Sequence, residues 1–472
     1  MKKQAFNPYL PSWEYIPDGE PYVFGDRVYV YGSHDKFNGH VFCLGSYMGW
    51  SAPVDDLGDW RCEGVTYPRN GDPLNADGHE SLFAPDVTVG PDGRYYMYYV
   101  LNHEDIVSVA VCDTPAGRYH FYGYVHYKDG TRLGARPGDE PQFDPGVLTE
   151  NGKTYLYTGG FCGMWEKTRH GGMLTVLGED MVTIEEDPIF VCPSANHAAG
   201  TSFAEHPFGE APSIRKRGDT YYYIYSSALM HELCYATAKD PRGPFQFRGR
   251  VVSNCDIGID SYKPADMSTS THGNNHGSIV EIKGQWYVFY HRQTNGNMYS
   301  RQGCMEPISF REDGSIIQPE ITSCGGNGGP LRGEGEYPSY ICCNLFTVDD
   351  PNPDPARRRF PMPTPKITQD GADDDKEPCY VTNIRNNTYI GFKYFDCQGV
   401  KKFAIETRGY GKGEFQIKTA WDGEVLATIP IEFTDLWTRY ETDVAIPDGK
   451  QAIYLCYVGG GSTALKCISF GK

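Results

Sequence analysis

The amino-acid sequence predicts an all-β protein: a five-bladed β-propeller over residues 1–322, followed by a β-sandwich of jelly-roll type over residues 323–472. Three observations carry this prediction. A glycine-bearing turn followed by a tyrosine-dense strand recurs five times before residue 300. The composition, with 35 Tyr, 23 Phe, 7 Trp and 55 Gly in 472 residues, is that of aromatic-packed sheet. Towards the C-terminus the repeat stops, and short strands separated by turn signals succeed one another as in a sandwich.

The five copies are Gly25-Asp26-Arg27-Val28-Tyr29-Val30-Tyr31, Gly93-Arg94-Tyr95-Tyr96-Met97-Tyr98-Tyr99, Gly152-Lys153-Thr154-Tyr155-Leu156-Tyr157, Gly218-Asp219-Thr220-Tyr221-Tyr222-Tyr223-Ile224-Tyr225 and Gly284-Gln285-Trp286-Tyr287-Val288-Phe289-Tyr290. Their glycines are 68, 59, 66 and 66 residues apart. Each copy reads as a hairpin, a strand and a turn leading into an aromatic strand. Hairpins at this interval imply one four-stranded sheet per period, with the sheets set radially as blades.

The repeat also locates the chemistry. Asp18 and Asp86 lie 7 residues before their glycines, and Asp144, Glu210 and His276 lie 8 before theirs. Each blade thus brings one ionisable residue to the start of its innermost strand, and in a radial array those points converge on one mouth of the central channel. Turn capping accounts for any single Asp. Carboxylates gathered around an axis repel one another, so stability does not account for the cluster, and a functional site is expected there.

Charge and composition exclude several function classes. Lys plus Arg is 43 against 61 for Asp plus Glu, a formal net charge of −18, which disfavours nucleic acid and anionic membranes as partners. There is no apolar run of spanning length. The start Met1-Lys2-Lys3-Gln4-Ala5-Phe6 has no apolar stretch behind it, so a cytoplasmic location is expected, with the 15 cysteines reduced. Aromatic-rich, glycine-rich sheet suits a sugar ligand, whose C–H faces stack on rings.

At these residues the chain resembles glycoside hydrolase family 43, the five-bladed propeller glycosidases. The matching stretches are Ile16-Pro17-Asp18-Gly19-Glu20-Pro21, Phe83-Ala84-Pro85-Asp86-Val87, Phe143-Asp144-Pro145-Gly146, Gly209-Glu210-Ala211-Pro212-Ser213-Ile214, Asn275-His276-Gly277-Ser278-Ile279-Val280 and Phe289-Tyr290-His291-Arg292. The alternation of Val23, Tyr29 and Tyr31 sets Asp18 rather than Glu20 towards the channel. The resemblance implies an inverting glycosidase with Asp18 as general base, Glu210 as general acid and Asp144 positioning Glu210 and raising its pKa. It further implies a calcium ion held by His276 through water. Asp86 is read as a contact to a sugar hydroxyl rather than a structural turn residue, Arg292 as a contact to sugar hydroxyls or a partner of the catalytic carboxylates, and Phe83 and Trp165 as stacking platforms or ordinary core.

In the second half, Ser323-Cys324-Gly325-Gly326-Asn327-Gly328-Gly329-Pro330 marks the domain boundary, and residues 350–376 read as an exposed excursion. Strands are expected at Tyr389 to Phe395, Lys402 to Thr407, Glu414 to Thr419, Val425 to Ile429 and Ala452 to Val458. Thr434-Asp435-Leu436-Trp437-Thr438-Arg439-Tyr440 resembles a family 6 carbohydrate-binding module, which implies a sugar-binding or purely structural sandwich. The expected activity is release of terminal α-L-arabinofuranose, with β-D-xylose as a lesser or parallel product, from short hemicellulose oligosaccharides. Loops at Trp50 to Asp72 and Phe161 to Gly172 are expected to crowd the pocket rim. A main β-xylosidase activity, an endo-arabinanase and a non-catalytic sugar-binding propeller are the alternatives.

Overall fold

The computed structural model describes residues 3–102, 105–160, 169–348 and 364–472. The five repeat glycines all take left-handed backbone, with φ of 61° to 83°, where a side chain would be strained. Each closes a tight hairpin between the first two strands of a four-stranded antiparallel sheet. Five such sheets follow in chain order, over residues 20–67, 82–124, 146–193, 208–253 and 279–317. Their first strands, Glu20–Phe24, Leu82–Val89, Gly146–Glu150, Phe208–Arg217 and Ile279–Ile282, pack on one another around the axis. This is a five-bladed β-propeller.

The repeated tyrosines fill the spaces between blades. Tyr157 and Tyr223 approach with ring centroids 5.6 Å apart, and Tyr67 and Tyr99 with centroids 5.1 Å apart and their hydroxyls 2.8 Å from each other. Because each blade uses consecutive strands, the ring closes by packing. Gly19 bridges Gly277 between the first and fifth blades. The N-terminal segment lies along strand Arg301–Phe310, where Asn7 Nδ2 donates to the Met305 carbonyl at 2.9 Å and Asn7 Oδ1 accepts the Met305 N–H at 2.9 Å.

Residues 331–471 form two six-stranded sheets stacked as a β-sandwich around one core that includes Phe392, Phe395, Phe403, Phe415, Ile453 and Ile468. The expected strands appear as Thr388–Cys397, Lys402–Gly409, Lys412–Lys418, Ala427–Ile431 and Gly449–Gly460. The excursion expected at 350–376 needs correction where it is described. Its part up to residue 363 lies outside the described residues, but Lys366–Thr368 is a strand paired with Tyr380–Ile384. Ile367 is buried there and donates its N–H to the Thr294 carbonyl of the propeller at 2.8 Å.

The two domains share buried charge. Lys393 Nζ of the sandwich reaches Asp256 at 3.1 Å and Glu320 at 3.2 Å on the propeller. The Arg292 guanidinium donates to the carbonyls of Cys342 at 3.2 Å and Cys343 at 2.9 Å. Arg292 was expected at the sugar; it is instead an interdomain anchor. Strand residues alternate between faces, so His291 turns towards the channel and its neighbour Arg292 turns away. Among the described residues no helix is long and apolar enough to cross a membrane.

Candidate functional site

The carboxylates are aimed by irregular backbone. Asp18 and Asp144 precede their inner strands with left-handed φ of 59° and 44°, which only supporting structure can hold in residues bearing a side chain. Glu210 sits on a bulge where the pairing with strand Thr220–Ser227 shifts register, next to Ala211 at φ 61°. A bulge re-aims a side chain out of the pleat. With His276, these residues surround one small pocket of about 70 Å³, well below the usual size of ligand sites. Its walls are Phe42, Phe83 and Phe143, with the Phe83 and Phe143 centroids 5.3 Å apart. A wall of aromatic faces over carboxylates is the arrangement that a single sugar ring requires.

The environments of the three carboxylates differ. Asp18 is nearly enclosed; burial alone would raise its pKa, but the Arg301 guanidinium at 2.9 Å and the charged His276 at 3.9 Å outweigh it and hold Asp18 well below the ordinary carboxylate range. Asp18 is therefore ionised throughout the physiological range. Burial first, and then the Asp18 charge, push Glu210 up to about 7, against the pull of His276 and Arg301 and an Asn274 hydrogen bond. Burial and the charges of Glu210 and Asp18 raise Asp144 well above its usual value despite His276 at 3.8 Å. One carboxylate is thus kept as a base while the other two hold protons, a separation of roles by environment.

Behind these groups stands a second set. Arg301 also clasps Asp35 through Nε at 2.8 Å and Nη2 at 3.0 Å, so its position is fixed independently of Asp18. His291 Nε2 donates to the Asn274 carbonyl at 2.8 Å, and its Nδ1 accepts the Asp18 N–H at 3.2 Å, which defines a neutral tautomer. Burial lowers the His291 pKa, consistent with that state. Gln293 Nε2 donates to Asn274 Oδ1 at 2.9 Å and leaves the Asn274 NH₂ for Glu210. One layer deeper, Glu20 pairs with Arg215 at 2.5 Å and accepts from Ser213 at 3.0 Å. Burial opposes a charge on His276, but Glu20, Asp144 and Asp18 lift its pKa to about 9.

Of the residues singled out from sequence, Asp18, Asp144, Glu210, His276 and Phe83 come together here. Trp165 lies outside the described residues. Asp86 does not reach the pocket and is corrected to a structural role. It is fully buried, accepting from the Tyr22 hydroxyl and the Val87 and Val147 N–H groups, each at 2.7 Å. The cause is register: Ala84 is the left-handed residue before Pro85, as Asp144 is before Pro145, so Phe83 and Ala84 occupy the rim and Asp86 lies two residues deeper.

The rim expectation at Trp50 to Asp72 also fails. Strands Tyr47–Pro53 and Arg61–Tyr67 are the outer strands of the first blade, and Phe42, from the preceding loop, crowds the pocket instead. That loop is braced by the sandwich, since Asp373 accepts the Phe37 N–H at 2.5 Å and pairs with Lys36 at 3.2 Å. Phe42, Asn274 and Arg301 were missed. Arg301 lies on a third strand of its blade and carries no repeat signal; only its position near the end of the fifth period set it apart from a surface cation.

Comparison with known proteins agrees with this geometry. The family model described as glycosyl hydrolases family 43 matches residues 22–316. The curated "Xylosidase/arabinosidase" of Thermoclostridium stercorarium is 61% identical over 467 residues, covering 99% of this chain and 98% of that one. Among solved structures, a family 43 arabinoxylan arabinofuranohydrolase from Bacillus subtilis, in complex with cellotetraose, superposes with a TM-score of 0.53 at 20% identity, covering 99% of this chain and 97% of that one. A family 43 β-xylosidase/α-arabinofuranosidase from a compost metagenome, in complex with xylotriose and in a calcium-free form, gives 0.52 at 24% identity over 67% of this chain and 98% of that one. On the family match and the full-length relative together, the chain belongs to glycosyl hydrolases family 43.

Proposed function

We propose that the protein is an inverting exo-glycosidase that removes terminal α-L-arabinofuranose, and β-D-xylose in parallel, from short hemicellulose oligosaccharides. The observation that carries this reading is the sharing of one small aromatic-walled pocket by an ionised Asp18 and a protonated Glu210. Asp18 takes a proton from a water that attacks the anomeric carbon. Glu210 delivers its proton to the departing glycosidic oxygen. Burial and the Asp18 charge keep the Glu210 proton in place, with the protonated Asp144 beside it, and Arg301 holds Asp18 as the charged base. A small pocket closed in by Phe42, Phe83 and Phe143 favours exo action on a terminal ring over an open groove for internal cleavage.

The proposal includes a calcium ion beneath the pocket. Glu20 Oε1 is buried without a hydrogen-bond partner and stands 3.7 Å from His276 Nε2, and a carboxylate oxygen without a hydrogen bond is the donor type that calcium takes. His276 and Glu20 would hold it, His276 through water, and the bound ion would supply fixed positive charge below the carboxylates. A cytosolic location is part of the same reading, supported by the free thiols of all 14 cysteines among the described residues. The sandwich is proposed to be a family 6-type carbohydrate-binding module. Its stacked and exposed pair Tyr410 and Phe433, with centroids 5.0 Å apart, lies beside Arg408 and Asp435 and supports that assignment.

The direct test is kcat/KM on 4-nitrophenyl α-L-arabinofuranoside and β-D-xyloside, whose ratio measures differential transition-state binding. Hydrolysis of both, with the arabinofuranoside preferred, is expected. Clear preference for the xyloside would reverse the order, and hydrolysis of neither would restore the arabinanase or binding-protein reading.

A further inference from the structure

Away from the pocket, in the fourth blade and the loop that leaves it, His231, Cys255 and His272 place one ligand atom each within 4.8 Å of one another. His231 ends the turn between strands Thr220–Ser227 and Glu232–Ala238, and Cys255 and His272 belong to the segment 254–278 that joins the fourth and fifth blades. His231 and Cys255 are buried, at 5% and 0% exposure, while His272 is half-buried and opens the cluster to solvent. The two imidazole rings stand 4.8 Å apart between centroids.

We propose that these three residues form a zinc site that fastens the 254–278 segment to the fourth blade. The donor set is the ground for naming zinc. Two imidazoles and one thiolate are borderline-soft ligands that suit Zn²⁺ and reject Ca²⁺ and Mg²⁺, and three protein ligands leave one tetrahedral position for water. The surroundings are those of a supported centre. Ser253 Oγ lies 3.0 Å from His231 Nδ1 and 3.5 Å from Cys255 Sγ, and is itself fixed by the Ile257 N–H at 3.2 Å, so it orients both ligands.

A second cluster, His206, Glu232 and Cys234, makes the contrast. There the Glu232 carboxylate is already taken by His206 at 2.6 Å, Ser227 at 2.6 Å and the Arg250 guanidinium, leaving its oxygens committed.

The site bears on catalysis through the segment it holds. Asn254, next to Cys255, donates to the Gly273 and Asn274 carbonyls, both at 3.1 Å. Asn275 Nδ2 donates to the His231 carbonyl at 3.4 Å. The segment so fixed presents Asn274 to Glu210 and ends at His276, so the metal acts as a clip two residues from the hydrogen bond to the acid.

The test uses the full-length protein, stripped with a chelator, reloaded with cobalt(II) chloride in the presence of excess calcium chloride, and desalted. About one equivalent of cobalt should remain, with a thiolate-to-cobalt charge-transfer band in the near ultraviolet. Both should be lost in Cys255→Ser and in His272→Ala; the half-buried His272 is the variant least able to disturb folding. Both should persist in Cys62→Ser, which removes an exposed thiol elsewhere. Absence of the band in the unsubstituted protein would overturn the proposal. So would its survival in either ligand variant, or its loss in Cys62→Ser.

Discussion

Replacing Glu210 with Gln keeps the shape of the side chain and removes its proton, and the structure assigns two opposite consequences to that change. The first is catalytic. A positioned general acid contributes about 10²- to 10⁴-fold, and it matters most where the leaving group is poor. Loss of kcat should therefore be far larger on an arabinoxylo-oligosaccharide, whose leaving oxygen needs a proton, than on the 4-nitrophenyl glycoside, whose leaving group departs readily. The second consequence is thermodynamic. Burial and the Asp18 charge displace Glu210 from 4.5 to about 7. A carboxyl whose folded pKa is raised contributes stability that is fully present below its unfolded value and is lost as pH rises through its folded value. Above pH 7 the buried charge costs the folded state about 3 kcal/mol, which glutamine avoids. The variant should unfold at a higher temperature than the parent at about pH 8, and the two should converge at about pH 4.5. Calorimetry at the two pH values and steady-state rates on the two substrates measure both effects. Equal loss on both leaving groups would refute the acid assignment, and a variant less stable than the parent at alkaline pH would refute the electrostatic reasoning.

The same pKa order predicts the pH profile of kcat/KM: flat on the acid side, because Asp18 is held ionised, and falling on the alkaline side as Glu210 loses its proton near 7. Arg301→Lys cannot clasp Asp35 and reach Asp18 at once, so it should lower kcat/KM by at least about tenfold and introduce a new acid limb as the Asp18 pKa rises. An unchanged acid limb would remove Arg301 from the account. Asp86→Asn leaves a buried N–H of Val87 or Val147 without an acceptor, which should cost about 1–3 kcal/mol of stability and leave KM unchanged. A raised KM at unchanged stability would return Asp86 to the substrate.

The propeller was legible because its determinants are local and repeated. A left-handed glycine and an aromatic strand recur at Gly25, Gly93, Gly152, Gly218 and Gly284, and each hairpin needs nothing outside itself. The pocket carboxylates were legible for the same reason, since Asp18, Asp144 and Glu210 occupy corresponding points of that repeat. The failures arise where a residue count passes through irregular backbone or where a partner lies on another blade. The bulge at Ala84 moved Asp86 below the rim. Strand parity decided between His291, which faces Asp18, and Arg292, which faces the sandwich. Arg301 is fixed by Asp35 from the far side of the chain, a pairing across 266 residues that no local pattern encodes. Likewise the sandwich supports the rim through Asp373, a residue that sequence placed in a solvated excursion.

The central claim is that an ionised Asp18 and a protonated Glu210 act on opposite sides of one sugar ring with a water between them. The configuration of the first-formed product tests it most directly, because a water attacking from the face opposite the leaving group inverts the anomeric carbon. Proton NMR of 4-nitrophenyl α-L-arabinofuranoside hydrolysis, followed before mutarotation, should show β-L-arabinofuranose appearing first and the α-anomer only as equilibration proceeds. Initial appearance of the α-anomer would mean that a carboxylate of this pocket attacks the sugar itself, and would contradict the assignment of Asp18 as a base.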